Sequence, residues 1–233
     1  MNFNPESFGL KREQLYEILA TSYFITDDGS AIKPNASCMG IRLIEGNKLQ
    51  ISPFYSTTTY KNLKDNSIIT INFVDDIYLY ALTALKAPNS PIGLAEFPSK
   101  YYAFTYLETL KRDIPYIKKS WGILACKVSE EFQKTKRDDL GEIIIPIFKL
   151  DVIFTKKFQE SYKLFNRAEN LTLEIIILAT RLKIAKEQQN RHQFFILHEK
   201  MREHVKNIER FGKNERVLKT MELVRNYISK LID

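Results

Sequence analysis

Residues 17–54 read EILATSYFITDDGSAIKPNASCMGIRLIEGNKLQISPF. Three runs rich in aromatic and β-branched residues are separated there by two turn sequences, the pattern of strands joined locally. Asp27-Asp28-Gly29-Ser30 favours a hairpin between residues 17–26 and 35–45, and Glu45-Gly46-Asn47-Lys48 gives a second tight turn before residues 49–54. Three successive antiparallel strands are predicted. Beyond them, residues 60–64 are polar and compatible with helix, 68–74 are strongly β in character, and 76–85 suit a short helix. After a loop carrying Pro88, Pro91 and Pro98, residues 101–107 and 121–130 supply further strands. Six or so short strands, mostly joined locally, favour a closed or nearly closed barrel over a doubly wound sheet.

The rest of the chain is built differently. All eight prolines fall at or before Pro146, and Gly212 is the one glycine after it. Glycine and proline interrupt helices, so the tail can be long helix where the front cannot. From Arg167 onward, Ala168, Leu171, Ile175, Leu178, Leu182 and Ala185 recur every three or four residues, the period of one buried stripe. A second helix is expected over about 193–211, with Gly212 as its stop, and a third from Asn214. The expected architecture is α+β: a closed or nearly closed β-barrel over residues 1–150, which the resemblance given below makes a split barrel, then an α-helical domain over 151–233.

Composition narrows the functional classes. With 44% hydrophobic and 27% charged residues, the 233-residue chain has the make-up of a globular protein. Two cysteines cannot form a disulfide framework, and MNFNPESFGLKREQL lacks the basic-then-apolar order of a signal peptide. No apolar run approaches the ~18 residues of a membrane span. A soluble, cytoplasmic protein is expected. The net charge of +7 lies mostly in the tail: residues 1–150 carry 18 Lys+Arg against 17 Asp+Glu, and residues 151–233 carry 17 against 11. There the basic residues alternate with Glu199, Glu203 and Glu209 at helical spacings, which reads first as a solvated, ion-paired surface and only second as a nucleic-acid contact.

Most catalytic constellations fail on spacing. His192, His198 and His204 stand six residues apart, a net rotation of about 240° per step that scatters them around a helix. Cys38 and Cys126 have no neighbouring His or Cys, so no metal is expected and both read as ordinary thiols. No Gly-rich nucleotide loop and no nucleophile elbow occurs. One segment does suggest chemistry. A strand ending at Phe54 is followed by four hydroxyl residues, Ser56, Thr57, Thr58 and Thr59, and then by a short helix carrying Lys61. Unpaired amides at a helix start, with hydroxyls and one cation beside them, can cradle a phosphate. The plainer alternative is that Ser56 or Thr57 only caps the helix. Small residues before Gly40 would let a flat ring approach that strand, although ordinary packing explains them equally well.

These residues resemble a known family. Ile18-Leu-Ala-Thr-Ser22, Asp27-Asp-Gly-Ser30, Pro34-Asn-Ala-Ser-Cys-Met-Gly-Ile41, Pro53-Phe54, Thr57-Thr-Thr-Tyr60, Asn62-Leu63 and Asn72-Phe-Val-Asp-Asp76 are similar to the archaeal and bacterial family of unknown function numbered 447. Its N-terminal part resembles the FMN-binding split barrels of flavin reductases and pyridoxamine phosphate oxidases. Phe165-Asn-Arg-Ala-Glu169 and Leu173 to Leu182 look like the family's C-terminal signature, so the likeness spans about residues 15–230. The resemblance implies a homodimer with FMN in the barrel near the subunit interface. Thr57, Thr59 and Lys61 would sit at the phosphate, Asn62 would brace that turn, and Ala36, Ser37 and Cys38 with Ser52, Pro53, Phe54 and Tyr55 would line the ring system. Thr58 stands where many relatives carry a basic residue, a gap that Arg42 or the partner subunit would have to fill. Trp121 would either stack on the flavin or, as the plainer reading, pack in the core or an interface. The implied function is an FMN-binding flavoprotein with oxidoreductase activity on an unidentified substrate. The alternatives are a flavin-binding module without turnover, a deazaflavin-type cofactor on the same barrel, and a nucleic-acid or partner-binding protein using the basic tail.

Overall fold

β1 (Leu15–Ile25) and β2 (Ile32–Leu43) pair antiparallel along their whole length, and β2 turns through Glu45–Asn47 into β3 (Leu49–Ile51). The expected meander is therefore present. A computed structural model describes residues 3–26, 29, 31–85, 96–138, 141–160, 167–211 and 215–232. The turn residues Asp27, Asp28 and Ser30, the loop prolines Pro88 and Pro91, the start of the Phe165 signature, and the Gly212 stop with Asn214 lie outside them.

The meander closes on itself by non-local pairing. After α1 (Thr58–Asn66), β4 (Ile68–Phe73) pairs with β1 on one side and with β7 (Gly122–Asp138) on the other, and β8 (Gly141–Lys157) pairs with β3. The result is a closed antiparallel barrel in the order β1-β2-β3-β8-β7-β4. Strand side chains alternate between faces, and here every second one fills the barrel. Ile18 and Ala20, Ile41 and Leu43, Leu49 and Ile51, Ile69 and Ile71, Leu124 and Cys126, and Phe148 and Leu150 form a single buried core. Leu63 of α1 joins it. A short turn at Pro5–Phe8 adds Phe8, whose ring lies so close to Gly122 that a Cβ there would stand 2.9 Å from it.

Between β4 and β7 the chain makes an antiparallel pair, β5 (Tyr102–Leu107) with β6 (Arg112–Ile117), as a separate two-stranded sheet. Its Leu107 and Ile114 pack with Tyr23, Ile68 and Ala125, residues of the barrel's outward-facing register. Asn72 ties β6 down. Its side-chain amide donates to the Leu19 and Thr70 carbonyls and to Thr21 Oγ1, while its Oδ1 accepts the Ile117 amide at 2.7 Å.

The helices form a second compact unit: α2 (Ile77–Ala84), α3 (Arg167–Glu187), α4 (Arg191–Phe211) and α5 (Glu215–Ile232). Asp76 caps α2 by accepting the Tyr78 amide. The buried stripe of α3 is rotated from the expected one: Thr172, Ile176 and Ala179 are buried with Ala168, Ile175, Leu182 and Ala185, whereas Leu171 and Leu178 are half-buried. Thr172 is accommodated because its hydroxyl donates to the Ala168 carbonyl one turn back. The charges of the tail pair on its surface, as in Glu199 with Arg202, Glu209 with Arg225 and Glu215 with Lys219. No helix among the described residues is long and apolar enough to cross a membrane.

Candidate functional site

Alternation along β2 decides which of its residues can meet a ligand. Ser37 lies opposite Ala20 and Asn35 opposite Ser22, so both share the inward register of the core, whereas Ala36, Cys38, Gly40 and Arg42 take the outward one. Ala36, Ser37 and Cys38 therefore cannot line one surface together. Ala36 is fully buried and Cys38 half-buried. On β3, Leu49 and Ile51 point into the core, which gives Gln50 the outward register opposite Arg42, and the half-buried Ser52 follows the strand. Cys38 and Gly40 lie on the outer wall of β2, and Ser52 follows β3 in the chain on the way to the hydroxyl run. Leu15, itself 55% exposed, lies across Gly40, its Cδ1 2.7 Å from where a Cβ would be.

The hydroxyl run divides by face in the same way. Thr57 is the N-cap of α1: its hydroxyl donates to the Phe54 carbonyl at 2.7 Å and accepts the Tyr60 amide at 3.2 Å. The capping alternative read from the sequence is thus the one the Thr57 side chain fulfils. Thr59 is buried, donating to Ser37 Oγ at 2.9 Å and accepting from Asn35 Nδ2 at 3.2 Å. Asn62, also buried, donates to Ser22 Oγ at 3.0 Å and so braces α1 against β1. Ser56, Thr58 and Lys61 are exposed, and Thr58 and Lys61 are three residues apart on one helix face. The amides of Thr58 and Thr59 open the helix and have no carbonyl of their own helix to reach. Two amides, two exposed hydroxyls and one ammonium group are a donor set that suits a phosphate monoester. The bend bearing them presents Ser56, Thr58 and Lys61 to solvent, and it follows β3 in the chain.

Other expected residues have different engagements. Pro53 is buried and Phe54 is 43% exposed. Tyr55 packs edge-on against Tyr60 with ring centres 4.9 Å apart, and its hydroxyl is buried with no hydrogen-bond partner. Tyr60 OH donates to Glu131, which also pairs with Lys64 at 2.7 Å. Burial, reinforced by the Glu131 charge, raises the Tyr60 phenol above its usual value. Arg42 donates to the Glu13 carbonyl at 2.7 Å. Trp121 stacks with Phe8, packs at a tilt against Phe73 and gives its indole N–H to Asp75 at 3.1 Å, the engagements of a packing residue. A cavity of ≈ 620 Å³ elsewhere, between the Pro5–Phe8 turn and Leu43, is lined by none of the expected residues. Among the described residues no group of three His, Cys, Asp or Glu side chains could hold a metal ion.

Sequence reading missed Asn35 and Ser22 as site residues. The signal was available in their parity with Ser37 and Ala20, which puts two polar residues at the barrel end where the apolar series stops.

Comparison with known proteins gives two findings. A family model described as the N-terminal domain of a protein family of unknown function (DUF447) matches residues 16–141. A crystal structure of an FMN-bound protein from Methanosarcina mazei, matched by the same family, superposes with a TM-score of 0.72 at 17% identity, covering 96% of this chain and 100% of that one. Flavoredoxins from Methanosarcina acetivorans (16% identity, 71% of this chain and 77% of that one) and Desulfovibrio vulgaris (15%, 67% and 76%) each give 0.45. No curated protein matches the chain.

Proposed function

Since the chain belongs to the DUF447 family, we propose that it is an FMN-binding flavoprotein, a cytoplasmic oxidoreductase that works as a homodimer. The observation that carries this reading is the exposed start of α1. Its Thr58 and Thr59 amides, with Ser56, Thr58 and Lys61 around them, would take the flavin's phosphate. The ring system would lie along the outer wall at Cys38, Gly40 and Ser52, and the exposed Leu15 side chain would turn aside or close over it. An FMN-bound relative of the same fold supports the choice of ligand. The second subunit would cover the wall and exclude water, and it is where the positive charge missing at Thr58 would come from.

Bound FMN supplies hydride and single-electron transfer. The chain's part is to hold the phosphate, orient the ring and keep solvent from one face. None of its side chains is assigned as an acid or base. In this arrangement the Thr57 and Thr59 hydroxyls serve the protein's own structure rather than the ligand, because both are already donating within the chain.

Mass spectrometry of the ligand released from purified protein is the direct test. FMN is expected, with flavin absorption that bleaches on adding NADH or NADPH. Bound FMN without bleaching by any donor would point to a binding module without turnover. A different mass, such as a deazaflavin, would replace the cofactor, and failure to retain or take up any flavin would overturn the reading.

A further inference from the structure

Under α1, at the end of the barrel, five polar side chains form one hydrogen-bonded cluster. Asn35 Nδ2 donates to Thr59 Oγ1 at 3.2 Å and to Ser22 Oγ at 3.3 Å, Thr59 Oγ1 donates to Ser37 Oγ at 2.9 Å, and Asn62 Nδ2 donates to Ser22 Oγ at 3.0 Å. Three strand residues thus grip two helix residues. Ser22, Thr59 and Asn62 are buried, where a polar group that loses its partner has no water to replace it. The cluster therefore has one low-energy arrangement, and α1 cannot rotate without breaking it.

Thr59 is the second residue of α1, so the bonds that fix its side chain also fix the direction of the Thr58 and Thr59 amides. Asn35 is the central member, touching both β1 and the helix. We propose that Asn35 is a positioning residue for the phosphate: through Thr59 it holds the helix start in the orientation that distinguishes a phosphorylated flavin from an unphosphorylated one. This inference rests on the flavin reading above. Hydrogen bonds to a charged oxygen depend strongly on alignment, whereas the ring contacts along β2 and β3 do not pass through the cluster. Loosening it should therefore weaken FMN and leave riboflavin, which has the ring and sugar chain without the phosphate, almost untouched.

The experiment measures FMN and riboflavin affinities of the full-length apoprotein by flavin fluorescence, for wild type, Asn35→Ala, Thr59→Val and Thr59→Ser, with thermal unfolding of each. Thr59→Val keeps the shape of the side chain and removes its hydroxyl, and Thr59→Ser keeps the hydroxyl. The expected result is a loss of FMN affinity of about tenfold or more in Asn35→Ala and Thr59→Val, with riboflavin changed by less than about twofold and Thr59→Ser close to wild type. Equal weakening of both flavins would mean a merely structural cluster and would overturn the proposal, as would unchanged FMN affinity in variants that fold. Should Asn35→Ala fail to fold, the Thr59 pair decides alone. Wild-type protein that binds neither flavin would instead overturn the flavin reading itself, and this inference with it.

Discussion

At the residue scale, what a side chain does here is set by which face of its strand or helix it occupies. The sequence shows Ala36-Ser37-Cys38 as one block, and only pairing with β1 reveals that Ser37 turns inward to Thr59 while its two neighbours turn outward. Thr57 was legible as a cap because capping needs only local spacing. Thr59 was not, because its partners are 22 and 24 residues away. Cys126 shows the same rule with a measurable outcome. It lies in the barrel core with its sulfur aimed at the Leu124 carbonyl, and burial, with a smaller contribution from the Asp151 charge, pushes its thiol far above the ordinary 9.0. The folded-state pKa is raised, so the stabilising contribution is complete below the unfolded value and lost as pH rises above it. From pH ~9 upward, stability should fall by about 1.4 kcal/mol per pH unit through this group alone. Urea unfolding at pH 8 and pH 10 should show a smaller loss for Cys126→Ala than for wild type. Equal losses would show that the thiol ionises in the folded barrel.

At the scale of elements, the six strands read from the sequence are present, whereas β6 and β8 were not read. β6 was missed because Arg112-Asp-Ile-Pro-Tyr-Ile combines charge with a proline, a composition that reads as loop. β7 continues beyond Glu130, exposed on both faces over residues 130–135, where no hydrophobic alternation exists to announce it. A single buried side chain hydrogen-bonds β6 to the barrel strands. Asn72→Ala would leave the Ile117 amide, the Ser120 hydroxyl contact and three acceptors on β1 and β4 without their shared partner. The expected cost is about 3 kcal/mol. Hydrogen exchange should locate it, with the Ile117 amide losing protection while amides in the β1–β2 ladder keep theirs. Unaltered protection at Ile117 would assign the anchoring to the Leu107 and Ile114 packing instead.

For the whole molecule, the barrel-then-helices order was legible from where glycine and proline stop, but the grouping of contacts was not. Residues 76–85 belong with the helical unit although they lie in the middle of the barrel sequence, and β8 runs on to Lys157. α2 has Ile77, Leu79, Tyr80, Ala81 and Thr83 buried, nearly its full circumference, and it packs with α3 and α5. A fragment ending at residue 150 would strip those partners away and expose the apolar surface of α2. It should aggregate when expressed, while the full chain stays in solution. A well-dispersed NMR spectrum from the fragment would contradict this.

The helix that presents the proposed phosphate-binding turn is also the stopper of the barrel, with Leu63 in the core and Thr59 and Asn62 locked to the strands beneath it. Whatever clasps that turn from outside thereby presses the plug into its seat. An occupied protein would accordingly resist heat better than an empty one, and its melting point becomes a gauge of cofactor loading that needs no knowledge of the reaction.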